Sequence, residues 1–147
     1  MRVKNTEPKV FVHHVGGGKT QWVVESNWFA QWEHEGRIYR TLIPNGFSSD
    51  KASIPRPLWI LAAPDELGLK AVILHDWGHF TKGLMEIQKH EKLNKWKHLG
   101  KVQFTRKQFD SLFFRFLRED CVEPRWRRRG AYKAVRAWSK LNGDSWA

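Results

Sequence analysis

Cysteine is nearly absent from this chain of 147 residues, and long apolar runs are absent altogether. The single cysteine, Cys121, excludes an internal disulfide framework and fits a reducing compartment. No apolar stretch is long enough to span a bilayer, and residues 1–12 lack the continuous apolar segment of a secretory signal. We therefore expect a protein with no membrane span that stays in the cytoplasm unless another factor exports it.

Internal repeats and low-complexity tracts are also lacking, and the length is that of one ordinary domain covering residues 1–147. A chain of this length buries roughly two thirds of the surface that it exposes when unfolded, so it folds without disulfides or metal. Nine Trp and nine Phe supply large side chains for a compact core.

Acidic residues are too few to balance the basic ones, and the net charge is +11. Residues 82–140 contain 17 Lys and Arg against six Asp and Glu, so this part of the chain carries the whole excess. Such a surface attracts phosphates or an acidic partner, although a solvated helical surface has the same composition. Charge alone favours the solvated helical surface.

Aromatic and β-branched residues are concentrated in the first half and predict strands over residues 20–25, 28–32 and 37–43. We therefore expect residues 19–43 to be mainly β. Two prolines make residues 46–60 a rigid loop.

The second half, residues 65–140, has the pattern of helices. A first helix begins near Pro64 and ends near Gly78, and Thr105 with Gln108 forms a capping box that begins a second helix. A third helix begins near Trp126. The basic, His-rich residues 82–100 are interpreted as a surface helix or a mobile insertion. The fold class predicted is α+β, with an N-terminal antiparallel sheet or hairpins packed by about three C-terminal helices.

The rigid loop presents a carboxylate, a hydroxyl and a guanidinium, those of Asp50, Ser53 and Arg56. Functional side chains are often held on such loops, so these residues are candidates for a site. The alternative is that Asp50 or Ser53 caps a short helical turn.

His75, Asp76 and His79 form a second candidate group. On a helix the two histidines lie one turn apart on the same face, which is the spacing of the zinc-binding H-E-x-x-H motif with Asp in place of Glu. A His-Asp doublet is also typical of metal-dependent phosphohydrolases, with Asp50 and Asp110 as further ligands. The alternative is a buried histidine that is hydrogen-bonded to a neighbouring carboxylate.

Asp110 lies beside the apolar stripe of the second helix, where a carboxylate must be paired or ligated. Arg128, Tyr132 and Arg136 follow at steps of four along the third helix. These side chains would neutralise an anionic substrate, or they would pair with Asp50, Asp76 or Asp110 and lock the helices together.

These blocks together resemble a family of phage and prophage proteins known as a domain of unknown function. Its pattern is G-F-x-[ST]-D-x-A-S-[IV]-P-R, an apolar helix ending in H-D, then D-x-x-F, then R-x-x-x-Y-x-x-V-R. The matching residues are 46–56, 71–76, 110–113 and 128–136, and the family usually carries Tyr where His79 stands. The resemblance implies a phage origin and one compact domain, located in the host bacterial cytoplasm or in the virion.

Two functions fit these features. In the first, a divalent ion (Zn, Mn or Mg) activates water for hydrolysis of a phosphoester or a cell-wall amide. Its residues are Asp50, His75, Asp76 and Asp110 as ligands, with Asp76, Arg56 and Arg136 as catalytic groups, and we predict that the four ligands converge in a cleft. In the second, no metal is needed and the protein binds nucleic acid, another polyanion, or a phage or host protein. Its face is residues 82–140, with Trp96 and Trp126 available for stacking on bases. The contacts expected for a substrate or a partner are Ser53, Arg127, Arg128, Arg129 and Tyr132.

Overall fold

The computed structural model describes residues 5–14, 20–49, 69–119, 125–141, 143 and 146. Within these residues there are seven strands and three helices. The strands are β1 (Val10–His14), β2 (Thr20–Val24), β3 (Trp28–His34), β4 (Arg37–Ile43), β5 (Ser48–Ser49), β6 (Leu84–Glu91) and β7 (Lys95–Gln103). The helices are α1 (Leu69–Thr81), α2 (Arg106–Glu119) and α3 (Arg125–Leu141).

The strands form two antiparallel sheets, and this arrangement with three helices confirms the predicted α+β class. The smaller sheet has the order β1-β2-β5, and the larger has the order β3-β4-β6-β7. The strands predicted over residues 20–43 are confirmed as β2, β3 and β4. Their residues alternate between faces, so Trp28, Ala30 and Trp32 of β3 are buried in the core.

One apolar core joins the larger sheet to the helices. Its sheet side includes Trp28, Ile43, Met85 and Ile87. Its helical side consists of buried residues from α1, α2 and α3: Ala71, Val72, Ile73, Leu74, Phe109, Leu112, Phe113, Phe116, Leu117 and Val135. Because α2 contacts both α1 and α3, it is the central helix of this layer.

Residues 84–103 form a β-hairpin, so the prediction of a surface helix or mobile insertion over residues 82–100 is wrong. Met85 and Ile87 are buried while Leu84 and Glu86 are exposed, which is the two-residue period of a strand. A 3-10 turn over Lys92–Asn94 connects the strands, and Leu93 and Asn94 adopt positive φ values of 67° and 58°. The hairpin extends the larger sheet because β6 pairs with β4.

Helix α1 continues through Gly78 to Thr81, and the predicted end near Gly78 is therefore wrong. The helix ends where the amide of Gly83 donates to the carbonyl of Gly78 and that of Lys82 donates to His79, a Schellman motif. Gly78 has a different role. A Cβ at this position would overlap the ring of Phe109, so the glycine allows α1 and α2 to approach closely.

The capping box that begins α2 is confirmed. The amide of Gln108 donates to Oγ1 of Thr105 at 3.1 Å, and the amide of Thr105 donates to Oε1 of Gln108 at 2.9 Å. Two amides at the helix start are therefore satisfied by side chains. None of the helices in the described ranges has the length and apolar character needed to cross a membrane.

Candidate functional site

A buried polar cluster lies between the short strand β5 and helix α1. Oγ of Ser49 donates a short hydrogen bond to Oδ2 of Asp76, and Nδ1 of His75 lies 3.7 Å from Oδ1 of the same carboxylate. Ser49, His75 and Asp76 are 0%, 1% and 5% exposed, respectively. Strand β5 is held against β2 by the pairing of Ser49 with Trp22, so the sheet fixes the serine opposite the helix.

His75 and His79 lie one helical turn apart, as the sequence predicted, and their rings face each other. Their Nε2 atoms are 3.2 Å apart. The ring of His75 also packs against Phe113, with centroids 4.6 Å apart. Burial, followed by the nearby charges of His75 and Arg106, lowers the pKa of His79 to about 2. His79 is therefore neutral at physiological pH and keeps a nitrogen lone pair available.

The spacing of the two histidines fits a shared metal ion. Two imidazole nitrogens bound to one tetrahedral zinc at about 2.0–2.1 Å lie about 3.3 Å apart. The observed 3.2 Å agrees with that geometry, and it agrees equally with one imidazole donating a hydrogen bond to the other. Among the described residues no group of three His, Cys, Asp or Glu is arranged to hold a metal, so a further ligand is needed.

Asp110 forms a separate cluster with helix α3. Its Oδ2 atom accepts hydrogen bonds from Nη1 of Arg136 and Oγ of Ser139, both at 2.8 Å. The carboxylate is 0% exposed. Burial raises the pKa of Asp110 above its usual value, and the hydrogen bonds from Ser139 and Arg136 partly oppose that rise. The ion pair joins α2 to α3. Pairing with a carboxylate was one of the two alternatives that the sequence left open for Arg136.

Of the four metal ligands predicted to converge, the structure describes His75, Asp76 and Asp110. Asp50, Ser53 and Arg56 lie outside the described residues. His75 and Asp76 are together on α1, whereas Asp110 is bound to Arg136.

The predicted contact residues on the third helix lie near its start. Arg127, Arg128 and Arg129 are in the first turns of α3, and Arg129 is exposed. The half-buried ring of Tyr132 packs against Phe114, with centroids 4.9 Å apart. Tyr132 therefore contributes to the contact between α2 and α3.

Two polar residues of interest were missed by the sequence reasoning. Ser49 directly precedes the candidate residue Asp50 in the sequence, and this position could have indicated that Ser49 belongs to the site. Arg40 was treated only as a strand residue, yet its guanidinium lies between the rings of Phe29 and Trp96, 3.9 and 3.8 Å from their centroids. Its Nε atom donates to Oε1 of Gln88 at 2.8 Å. No local sequence signal predicts this stacking, because the three residues lie on β3, β4 and β7.

The comparison with known families identifies the chain. Residues 22–135 match the family described as "Protein of unknown function (DUF1353)". The chain belongs to the DUF1353 family. The match agrees with the predicted membership of a domain-of-unknown-function family. In this DUF1353 protein it includes the histidine cluster and Asp110, and it ends one residue before Arg136. No curated protein and no solved structure matches the chain.

Proposed function

We propose that this DUF1353 protein is a divalent-metal-dependent hydrolase whose ion is held by His75 and His79. The observation that carries the proposal is the 3.2 Å separation of their Nε2 atoms, beside the carboxylate of Asp76. A histidine that binds a metal usually has a carboxylate or carbonyl near its other nitrogen, which orients the ring. The carboxylate of Asp76 is near Nδ1 of His75, at 3.7 Å, and a movement of less than 1 Å would bring the two into hydrogen-bond distance.

The proposed third ligand is Asp50. It follows Ser49 directly in the chain, and the hydroxyl of Ser49 is bonded to Asp76. Asp110 is not a ligand in this proposal, because its Oδ2 atom accepts hydrogen bonds from Arg136 and Ser139. A bound ion of this kind supplies a hydroxide nucleophile at neutral pH by lowering the pKa of water. Asp76 is the proposed proton acceptor, and Ser49 holds its carboxylate in position.

The proposed substrate is a phosphoester, with a cell-wall amide as the other class. The net charge of +11 favours the phosphoester because it attracts anions. Arg56 remains the proposed group for stabilising developing negative charge, whereas Arg136 is paired within the fold. The family resemblance supports a phage or prophage origin and a location in the host bacterial cytoplasm or in the virion.

Metal binding is tested by thermal melts with a chelator and with added zinc, manganese or magnesium. At 100 times the dissociation constant a ligand stabilises the folded state by about 2.7 kcal/mol, which corresponds to about 5–10 °C for a chain of this size. We expect a rise of this order in the parent protein and no rise in His75→Ala or His79→Gln. His98→Gln is the control, since His98 is exposed on the hairpin.

A parent melt that none of the three ions shifts, together with strong destabilisation by His75→Ala and Asp76→Asn, would exclude the metal site and leave a structural His-Asp pair. The reaction is tested separately with bis-p-nitrophenyl phosphate, with and without chelator. Metal-dependent release of nitrophenol that is lost in Asp76→Asn supports the hydrolase. Metal binding without metal-dependent turnover of this phosphodiester contradicts a phosphoester as the substrate.

A second function, binding of nucleic acid or another polyanion, is favoured by the lysines of the β6–β7 hairpin, which are exposed except for the half-buried Lys89. Within the described residues none of these lysines forms an ion pair. They are Lys89, Lys92, Lys95, Lys97 and Lys101. The stacking of Arg40 against Trp96 fixes the turn end of the hairpin to the sheet, so the lysines project from a rigid support.

Binding to a fluorescent single-stranded oligonucleotide is expected to weaken steeply as salt rises, because neutralised phosphates release counterions. Each lost phosphate contact lowers the slope of log K against log salt by about 0.7–0.9. Lys92→Glu with Lys95→Glu, and Arg127→Glu with Arg129→Glu, should each reduce affinity and slope. Binding that ignores salt, or no binding at low salt, would contradict the function. Unchanged melting temperatures would show that the variants remain folded.

A further inference from the structure

A cavity of about 430 Å³ opens between the larger sheet and helix α2. Its apolar wall is formed by Trp32, Tyr39, Ile87, Val102 and Phe104. The volume lies within the range of about 300–1,000 Å³ that is typical of small-molecule sites, and an apolar lining with a few polar groups is typical as well. The cavity is lined by no residue of the histidine cluster, so it is a separate candidate site.

The walls of the cavity are held by ring contacts. Trp32 is stacked with Tyr39, with centroids 6.4 Å apart and planes at 22°, and it meets the edge of Phe104 at 6.1 Å. The register of β6 and β7 shifts between Ile87 and Gln88, which leaves Leu99 without a partner in the ladder. Leu99 is 41% exposed at the rim. The cavity therefore has a rigid aromatic floor and an open apolar edge.

Positive charge lies along one side of this cavity. Strand pairing places Tyr39 beside Lys89, and Lys89 beside Lys97, in one row that begins at Trp32. Paired residues share a face of the sheet, so both lysines are on the face that lines the cavity. Glu91 is on the same face, two pairs nearer the turn and opposite Lys95.

Helix α2 contributes the polar part of the lining. Arg115 adds a further cation, and Ser111 adds a hydroxyl that donates to the carbonyl of Lys107. The guanidinium of Arg115 is held in place because it donates to the carbonyl of Glu33. Cations on both the sheet side and the helix side of an apolar cavity match a ligand with an apolar body and an anionic group.

We propose that this cavity binds a small apolar acid, with its body between Trp32 and α2 and its anionic group at Lys89 and Lys97. The proposal does not depend on metal binding or hydrolysis. The probe is 8-anilinonaphthalene-1-sulfonate, a flat aromatic anion. Its uncharged counterpart, 1-anilinonaphthalene, has the same ring system without the sulfonate, so the pair separates the apolar contribution from the charge.

We expect the fluorescence of the sulfonate to rise on binding and to saturate as for a single site. The uncharged compound should bind more weakly. Lys97→Gln should weaken the sulfonate about two- to fivefold, as for a partly exposed charge pair, and leave the uncharged compound unchanged. Lys101→Gln is the matched control. Lys101 pairs with Glu86 on the opposite face of the same strand, because the irregularity at Leu99 reverses the alternation. This control variant should bind both probes as the parent does.

Ser111→Trp fills the cavity from the exposed side of α2 and should abolish binding of both probes. In the parent protein, the amide signals of Leu99, Val102 and Ser111 should shift on addition of the sulfonate in a ¹⁵N-resolved spectrum, which tests the location without any substitution. Equal weakening by Lys97→Gln and Lys101→Gln would show attraction by overall charge. That result, shifts confined to other residues, or unchanged binding in folded Ser111→Trp would overturn the proposal.

Discussion

Gly78→Ala is expected to destabilise the protein by about 2–3 kcal/mol, even though alanine favours a helix interior over glycine by about 1 kcal/mol. The new Cβ would overlap the ring of Phe109, which is 0% exposed and therefore surrounded by the close-packed interior. Relief requires either a strained rotamer of Phe109 or separation of α1 from α2. Chemical denaturation with a two-state fit measures the loss, and the melting temperature should fall by about 5–10 °C.

A double-mutant cycle tests whether Phe109 is the cause. Phe109→Leu removes the ring and lowers stability on its own, since it shortens a fully buried side chain. Adding Gly78→Ala to that background should cost little or even stabilise, because the space is then free. The same loss in both backgrounds would show that backbone changes in α1, and not the contact with Phe109, determine the effect.

The sequence predicted those parts of the fold whose signals are local. The capping box at Thr105 and Gln108 set the start of α2, because both hydrogen bonds lie within four residues. Strands β2 to β4 are rich in aromatic and β-branched residues, which favour a half-buried pleated surface. Gly78 looked like a helix end because glycine is a poor helix former. The glycine is required instead by its close contact with Phe109, a residue 31 positions further along the chain. Local propensity does not show such a contact.

The β6–β7 hairpin was missed because its strands carry lysines and histidines where strands usually carry β-branched residues. Only Met85 and Ile87 show the two-residue period, and two residues do not distinguish a strand from a helix. In the candidate site, the spacing of His75 and His79 predicted a shared face correctly. The partner of Asp110 was left open among several cations, since it depends on the packing of α2 against α3.

Arg136→Met is expected to destabilise the protein by about 3–5 kcal/mol, because it leaves the buried carboxylate of Asp110 without its cation. The loss should depend on pH. Burial already raises the pKa of Asp110 above 3.8, and removing Arg136 raises it further. A carboxyl whose pKa is higher in the folded state than in the unfolded state lowers stability as pH rises from the unfolded-state pKa to the folded-state pKa. Denaturation midpoints should therefore show the smallest loss at acidic pH. Arg129→Met, at an exposed position of α3, is the control.

The double variant Asp110→Leu/Arg136→Met distinguishes a structural pair from a catalytic one. Replacing both partners of a buried ion pair with apolar groups is often neutral or stabilising, so most of the stability lost in Arg136→Met should return. The metal-dependent thermal shift should remain, because His75 and His79 are unchanged and α1 contains neither substituted residue. If the shift disappeared in a stably folded double variant, Asp110 would be a ligand, as the sequence alone had suggested. If stability did not return, the remaining loss would be assigned to the hydrogen bond between Asp110 and Ser139, which the double variant also removes.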